Sequence, residues 1–310
     1  MYEQISSNKR KSLLLIVGFV FLYGGLGFLL SLWLGQAAFY IAVAVAVAMV
    51  IFNLFMGDDL VLAVSGAKRV ESKDEAPELW RKVVNLAITA GLPMPRLYIV
   101  PDDSPNAFAA GRNPKQAVVA VTSGLLDRLD EEELEGVLAH EMSHIRNYDV
   151  RLMTYAAVLA GSIALLANII LRSMWFGGGR DRNANPLVIV ALIAAAVLAP
   201  IAAVVIQTAI SRRREYVADA SAVELTRYPQ GLASALRTIS GSMKPSPHLS
   251  NQAIAHMMIA PPLGIGGKAS KLFSTHPPTE DRIARLEAMA GGQTHRHGLP
   301  TAARRAGLTV

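Results

Sequence analysis

The sequence predicts a mainly α-helical integral membrane protein that carries a small β-sheet in its polar regions. Composition is the first reason: of 310 residues, 52% are hydrophobic and only 17% are charged, whereas soluble domains carry about 25% charged residues. The second reason is that three long stretches contain no charged residue at all: 12–57, 152–171 and 183–211. The absence of cysteine excludes a disulfide scaffold, an iron–sulfur cluster and a thiol nucleophile.

Four hydrophobic segments are predicted to cross the membrane, because a helix needs about 20 apolar residues to span roughly 30 Å of hydrocarbon. The predicted spans are 12–34, 37–57, 152–171 and 187–210. The first span follows the basic residues 9–11, as the apolar region of a signal peptide does. That region usually runs about 7–15 residues. Because this one is longer and leads directly into a second span, we interpret it as an uncleaved anchor.

Basic residues near the span ends predict that the polar regions face the cytoplasm. Clusters at 9–11, 68–73 and 212–214 adjoin the first, second and fourth spans. The net charge of +6 is attributed to these loops and not to a nucleic-acid partner. The loop after the third span does not follow this charge rule, because it would be outside the cytoplasm although Arg172, Arg180 and Arg182 outnumber its one aspartate. The sequence therefore leaves open whether spans three and four cross fully.

Two polar blocks, 58–151 and 211–290, are predicted to form the domain outside the bilayer, followed by a flexible basic tail, 291–310. Within them, Arg96–Val100 and 116–121 are short β-branched runs typical of strands. Asp130 and the three glutamates after it predict a helix start with a capping box, and the helix should continue to about Asn147. Further helices are expected at 211–226, as an extension of span four, and at 279–290.

A metal-binding motif lies on the helix that begins at Asp130. His140, Glu141 and His144 form the pattern His-Glu-x-x-His. Residues four apart share one face of a helix, so both imidazoles can reach one zinc ion while Glu141 lies beside the attacking water. The alternative is a surface helix with two solvated histidines, which the strong helix context disfavours.

A hydrolytic zinc site takes three protein ligands and keeps one position for water. No cysteine is available, and positions 147 and 150 hold Asn and Val, so no third histidine follows at the spacing HExxHxxGxxH. A carboxylate elsewhere is therefore expected. Glu215 is the best candidate, with Asp219 one turn later on its helix face to accept a hydrogen bond from a ligand imidazole. From spacing alone, charge balance against the arginines at 212–214 explains these two acids equally well.

Three segments carry a resemblance to a known family. They read HEMSH at 140–144, SRRREYVADASA at 211–222 and LFSTHPPTEDRIARLEAM at 272–289. Together with the order of the four hydrophobic segments, they resemble the HtpX family of bacterial and archaeal membrane-bound zinc metalloproteases, which is related to the eukaryotic CAAX prenyl endopeptidases. The resemblance extends from the first span to about Ala290. His295 and His297 lie beyond it and are interpreted as solvated.

The resemblance implies that His140, His144 and Glu215 bind one Zn²⁺ ion per chain and that Glu141 is the catalytic base. It also implies that Asp219 supports the metal ligands from behind.

Two further groups of residues take roles from the same resemblance. Asn106, Ala107 and Phe108 look like the family's edge segment, which pairs with the extended backbone of the substrate. His276 and Arg282 match positions near the scissile carbonyl, where either one would supply a donor to the oxyanion. For His276, a rigid His-Pro-Pro turn is the alternative.

The function implied is that of a zinc-dependent endopeptidase in the plasma membrane of a prokaryote, with its active site facing the cytoplasm. Its expected partners are the lipid bilayer and polypeptide substrates, especially damaged or misassembled membrane proteins; oligomerisation is left open. One alternative is a processing peptidase of the prenyl-peptide type, which usually has more spans. A second is a non-catalytic zinc-binding membrane scaffold, which would be expected to lose Glu141. A transporter is disfavoured because no predicted span contains an ionisable residue.

Overall fold

The computed structural model describes residues 2–176, 212–243, 246, 249, 252–260 and 277–297. Predicted span four and His276 lie outside the described residues. Within them the chain is mainly helical with one small mixed sheet, as predicted. The helices are α1 (Tyr2–Leu34), α2 (Gln36–Ser65), α3 (Pro77–Ala90), α4 (Ser123–Leu126), α5 (Glu131–Arg146), α6 (Asp149–Phe176), α7 (Arg212–Thr226), α8 (Pro229–Ser242), α9 (Gln252–Ala255) and α10 (Thr279–His297). The strands are β1 (Lys68–Arg69), β2 (Arg96–Val100), β3 (Ala107–Ala110) and β4 (Val118–Thr122).

The sheet has the strand order β1-β2-β4-β3. Strands β2 and β4 are parallel, whereas β1 and β3 pair antiparallel with their neighbours. Both predicted strands are confirmed, although β4 begins at Val118 because Pro114–Gln116 forms a 3-10 turn before it. Every residue of β4 is buried, as expected for a central strand, and β3 is an outer strand that lies against α5.

Helix α5 begins with the predicted capping box. The Asp130 carboxylate accepts the Glu133 backbone N–H at 2.8 Å, and the Glu133 carboxylate accepts the Asp130 N–H at 3.2 Å. Three acidic residues in the first turn also complement the positive end of the helix dipole. Every residue from Gly136 to Ile145 is buried, so the His-Glu-x-x-His motif lies in the protein interior.

A close approach between backbones fixes α5 against α8. A Cβ atom placed on Gly136 would lie 2.6 Å from the backbone nitrogen of Leu232. A Cβ atom placed on Gly231 would lie 2.6 Å from the carbonyl oxygen of Glu132. Only glycine allows this spacing at both positions, and the close contact sets the position of the motif helix.

Helices α1 and α2 form a hairpin that turns at Gly35, where φ is 84°. The hairpin packs on α6 through a buried apolar cluster, which consists of Phe19, Tyr23, Ala46, Leu159 and Ile163. Other faces of the hairpin expose large apolar side chains, among them Phe21, Phe28, Tyr40, Ile41 and Phe55.

Within the described part of the chain, one helical stretch, Phe39–Ser65, is long and apolar enough to cross a membrane by length and composition. It includes most of predicted span two and extends beyond it. The four-span arrangement therefore stays a prediction. The last helix, α10, continues past the expected end at Ala290 to His297.

Candidate metal centre

Three side chains from two helices converge on one point. His140 and His144 project from α5, Glu215 projects from α7, and all three are buried. The two Nε2 atoms are 3.2 Å apart, and the Glu215 carboxylate oxygens lie 3.7 Å from His140 Nε2 and 3.8 Å from His144 Nε2. Ligand atoms about 2.1 Å from a tetrahedral zinc ion are about 3.4 Å from each other, so these spacings suit one shared ion.

The chemistry of this donor set fits a divalent cation. A neutral imidazole that donates from Nδ1 carries a lone pair on Nε2. At His140 and His144 the two Nε2 atoms face each other at 3.2 Å beside a carboxylate, an arrangement that is repulsive unless a cation or a proton lies between them. Two imidazole nitrogens and one carboxylate, without sulfur, form a donor set typical of hydrolytic zinc sites.

Each imidazole has a carboxylate behind it. Asp219 Oδ1 lies 3.0 Å from His140 Nδ1. Asp149 Oδ2 lies 3.1 Å from His144 Nδ1. Such carboxylates fix the tautomer and orientation of the ring and make it a stronger ligand. Burial disfavours the charged form of His144, but the hydrogen bond to Asp149 and the nearby charges of Asp149, Glu215 and Glu141 together outweigh it and raise the pKa to about 9, so a metal that binds there would have to displace a proton.

Sequence reasoning missed Asp149. It lies just after the C-terminal cap of α5, beyond Tyr148, which has a φ of 59°. A left-handed conformation at a residue other than glycine costs about 1–3 kcal/mol. This turn brings the first residue of α6 back towards His144 on α5. An acidic residue five positions after the second histidine, at the start of an apolar segment, was the available signal, but the sharp turn is not evident from residue types.

Glu141 lies beside these three converging side chains with one carboxylate oxygen unused. The residue is 1% exposed, and its Oε2 atom has no hydrogen-bond partner among the described residues. Burial raises the pKa of Glu141 to about 7, and the nearby Glu215 carboxylate adds to the rise. A backbone hydrogen bond at Ala109 acts the other way. A buried carboxylate that titrates near neutrality suits a general base.

Arg282 is held behind the centre by an acid and a carbonyl. Its Nε and Nη2 atoms donate to the two oxygens of Asp219 at 2.9 and 2.7 Å, and Nη1 donates to the carbonyl of Ile259 at 2.9 Å. Nη2 also lies 3.4 Å from Nδ1 of His140. The guanidinium is 2% exposed. These contacts orient the Asp219 carboxylate, and Nη1 also lies 3.9 Å from Glu215 Oε2.

The outward edge of β3 is covered by a segment of the same chain. Phe108 pairs antiparallel with Met258, and the backbone N–H of Ile259 donates to the Ala107 carbonyl at 3.0 Å. The Asn106 amide donates to the Ala260 carbonyl at 2.9 Å. Asn106, Ala107 and Phe108, the predicted substrate-pairing residues, thus make internal contacts along this edge.

Comparison with known proteins agrees with this chemistry. The sequence profile of peptidase family M48 matches residues 73–290. A protease HtpX homolog of Ligilactobacillus salivarius (strain UCC118) is 48% identical over 298 residues, covering 93% of this chain and 100% of that protein. Another from Tropheryma whipplei (strain Twist) is 44% identical over 289 residues, covering 93% and 98%. The crystal structure of S. mikatae Ste24p matches with a TM-score of 0.47 at 18% identity, covering 92% of this chain and 67% of that one. This chain belongs to the HtpX proteases of peptidase family M48, which are membrane-bound metalloproteases.

Proposed function

We propose that this metalloprotease is a zinc-dependent endopeptidase with His140, His144 and Glu215 as its three metal ligands. The observation that carries the proposal is the convergence of these buried donor atoms within 4.8 Å of one another. The unused carboxylate oxygen of Glu141 beside them supports hydrolysis over mere metal storage.

In the proposed hydrolysis, the metal and each residue of the site have separate tasks. When bound, zinc would polarise the scissile carbonyl and lower the pKa of the attacking water. Glu141 takes the proton from that water and returns it to the leaving amine. Asp219 and Asp149, which are hydrogen-bonded to Nδ1 of His140 and His144, hold each ring so that Nε2 faces the centre. An additional donor is needed for the oxyanion.

We assign that donor to His276 and give Arg282 the task of holding Asp219. The reason is that three nitrogens of Arg282 already donate to Asp219 and to the Ile259 carbonyl. A guanidinium used in this way keeps the Asp219 carboxylate oriented towards His140.

The proposed setting is the plasma membrane of a prokaryote, crossed by four spans, with the active site at the cytoplasmic surface. The exposed apolar faces of α1 and α2 support burial in lipid, since soluble proteins rarely expose so large an apolar surface. The basic residues 9–11 lie at the same end of α1 as the metal centre, because Lys9 contacts Tyr148. Excess basic charge marks the cytoplasmic side.

The proposed substrates are polypeptides in extended form, in particular damaged or misassembled membrane proteins, as part of protein quality control. A site at the base of a membrane anchor meets such chains where they leave the bilayer. Extended chains are bound by pairing along a sheet edge, and β3 is the edge nearest to Glu141.

The decisive experiment is metal analysis and casein hydrolysis by the full-length, detergent-purified protein and its Glu141→Gln variant. The variant should keep about one zinc per chain, because Glu141 is not a ligand, and should lose at least ~100-fold in hydrolysis. Glu132→Gln, an exposed position on the same helix, is the matched control and should behave as wild type. Near-normal turnover by Glu141→Gln would contradict the mechanism.

A further inference from the structure

The first helix of the chain reaches the metal centre. Asn8, near the start of α1, is 6% exposed although it precedes the predicted first span. Its side-chain amide donates to Asp149 Oδ1 at 2.6 Å and to the Asn147 carbonyl at 3.0 Å. These two acceptors lie on either side of Tyr148, in the turn that joins α5 to α6.

A neighbouring residue of α1 holds the same turn. The Lys9 ammonium lies 4.5 Å from the centroid of the Tyr148 ring, a cation–π contact. Tyr148 is the residue with the left-handed backbone conformation, which persists only where surrounding contacts hold it. Asn8 and Lys9 therefore clamp the backbone and the side chain of one strained turn.

The contacts of Asp149 explain what this clamp does for the centre. One carboxylate oxygen, Oδ1, accepts from Asn8 and from Arg214 Nε, the latter at 3.0 Å. The other oxygen, Oδ2, faces His144 Nδ1 at 3.1 Å. With Oδ1 held from two sides, the carboxylate plane is fixed, and Oδ2 can meet the imidazole only in the orientation that directs Nε2 at Glu215.

We propose that Asn8 is a positioning residue of the metal centre, acting through Asp149 on His144, so that the centre is complete only when the first helix is docked. This inference rests on the proposed function, in which His144 is a zinc ligand. It adds a residue from the anchor to a site whose other members all come from the two polar regions. It also means that zinc affinity depends on the packing of the membrane anchor.

The test compares zinc affinity, measured by chelator competition on the full-length protein in detergent, with thermal unfolding of the metal-free protein. Asn8→Ala removes the donor, and Asn8→Leu removes it while keeping about the same side-chain volume. The matched control is Asn53→Ala, because Asn53 is also a buried asparagine of the hairpin and donates to α6, at the Tyr155 carbonyl, away from the centre.

Both Asn8 variants should bind zinc roughly tenfold more weakly, the scale of one lost hydrogen bond to a charged group. Asn53→Ala should bind zinc as the wild type does, whatever it does to thermal unfolding. If Asn8 merely attaches α1 to the protein, the unfolding temperature falls while zinc affinity stays at the wild-type value, and the inference is overturned. If Asn8→Ala does not fold, Asn8→Leu decides on the same criterion. Wild-type protein without zinc would instead contradict the proposed function.

Discussion

Each of the two imidazoles in the centre has a carboxylate behind it and an arginine behind that carboxylate. Asp219 is bonded twice by Arg282, and Asp149 is bonded by Arg214 at 3.0 Å. Burial opposes ionisation of Asp219, but Arg282 and His140 together outweigh it and lower the pKa of the carboxyl below its usual value. A buried carboxylate without such a partner costs several kcal/mol. The arginines thus make it possible to keep charged acids behind neutral ligands.

The different roles of the two acids on α7 lead to a prediction. Glu215→Ala removes a ligand and should abolish stoichiometric zinc binding at neutral pH. Asp219→Asn keeps all three ligands and should weaken zinc binding by roughly 10–100-fold, which is typical when a partner of a ligand is changed. Zinc titration of the purified variants measures both effects.

The control for this pair is Glu224→Ala, an acid on the same helix whose side chain is 58% exposed. It should bind zinc as the wild type does. The assignment would be reversed if Asp219→Asn lost the metal outright while Glu215→Ala retained it.

The sequence indicated the candidate site residues that depend on local geometry and named Glu215 and Asp219 as candidates beside them. His140, Glu141 and His144 follow from the periodicity of one helix, which is a property of neighbouring residues. The other members depend on how distant elements dock. Asp149 requires an unusual backbone turn, and Asn8 requires the packing of α1 against it. Neither has a pattern of residue types that could indicate its partner.

At the scale of elements, the outer edge of β3 is paired with the segment that contains Met258 and Ile259, and the proposed substrate would pair with the same edge. The Ile259 N–H donates to the Ala107 carbonyl, and an extended substrate that pairs with β3 would need the same carbonyl as its acceptor. Met258 and Ile259 are buried, and Arg282 holds the Ile259 carbonyl, so the segment is firmly attached. Residue patterns indicated the strands but not this pairing, because a segment that forms a single bridge has no strand periodicity.

This competition predicts the effect of Ile259→Pro, which removes the N–H that bonds to Ala107. KM for an extended peptide should fall roughly fivefold, since one net hydrogen bond of about 1 kcal/mol no longer opposes the substrate. Zinc content should not change. Steady-state kinetics with a peptide substrate measures the effect.

Ile259→Ala is the matched variant, because it shortens the same buried side chain and keeps the N–H. It should lose stability as the proline variant does without the fall in KM. An equal or higher KM for Ile259→Pro would mean that the segment is a fixed part of the sheet and that the substrate binds along another surface.

At the scale of the whole molecule, the metal centre lies at one end of a helical anchor. Helices α1 and α6 both begin there, as the contact between Asn8 and Asp149 requires. They run side by side, because Leu15 packs against Leu152 and Ala156 at one level, and Phe19 and Tyr23 meet Leu159 and Ile163 further along. The hairpin turn at Gly35 is therefore at the end distant from the centre.

The chain also returns to the centre after α6. Helix α6 has 28 residues, which corresponds to a length of about 42 Å, more than the roughly 30 Å of a hydrocarbon core. At the other side of the intervening segment, Arg214 is back within 3.0 Å of Asp149, the first residue of α6. Because the chain leaves along so long a helix and Arg214 again lies beside its first residue, we propose that spans three and four both cross the membrane completely.

The last prediction tests this topology with single cysteines, which the chain permits because it contains none of its own. Lys73→Cys should be protected from a membrane-impermeant maleimide in intact cells and become labelled after the cells are opened. Gln36→Cys, next to the hairpin turn, should be labelled in intact cells and serves as the positive control. Gly178→Cys should behave like Gln36→Cys, because a full crossing carries the end of α6 to the outer side despite the nearby arginines. Protection of Gly178→Cys in intact cells, with the two controls as expected, would mean that spans three and four form a shallow cytoplasmic hairpin and that the anchor crosses the membrane twice.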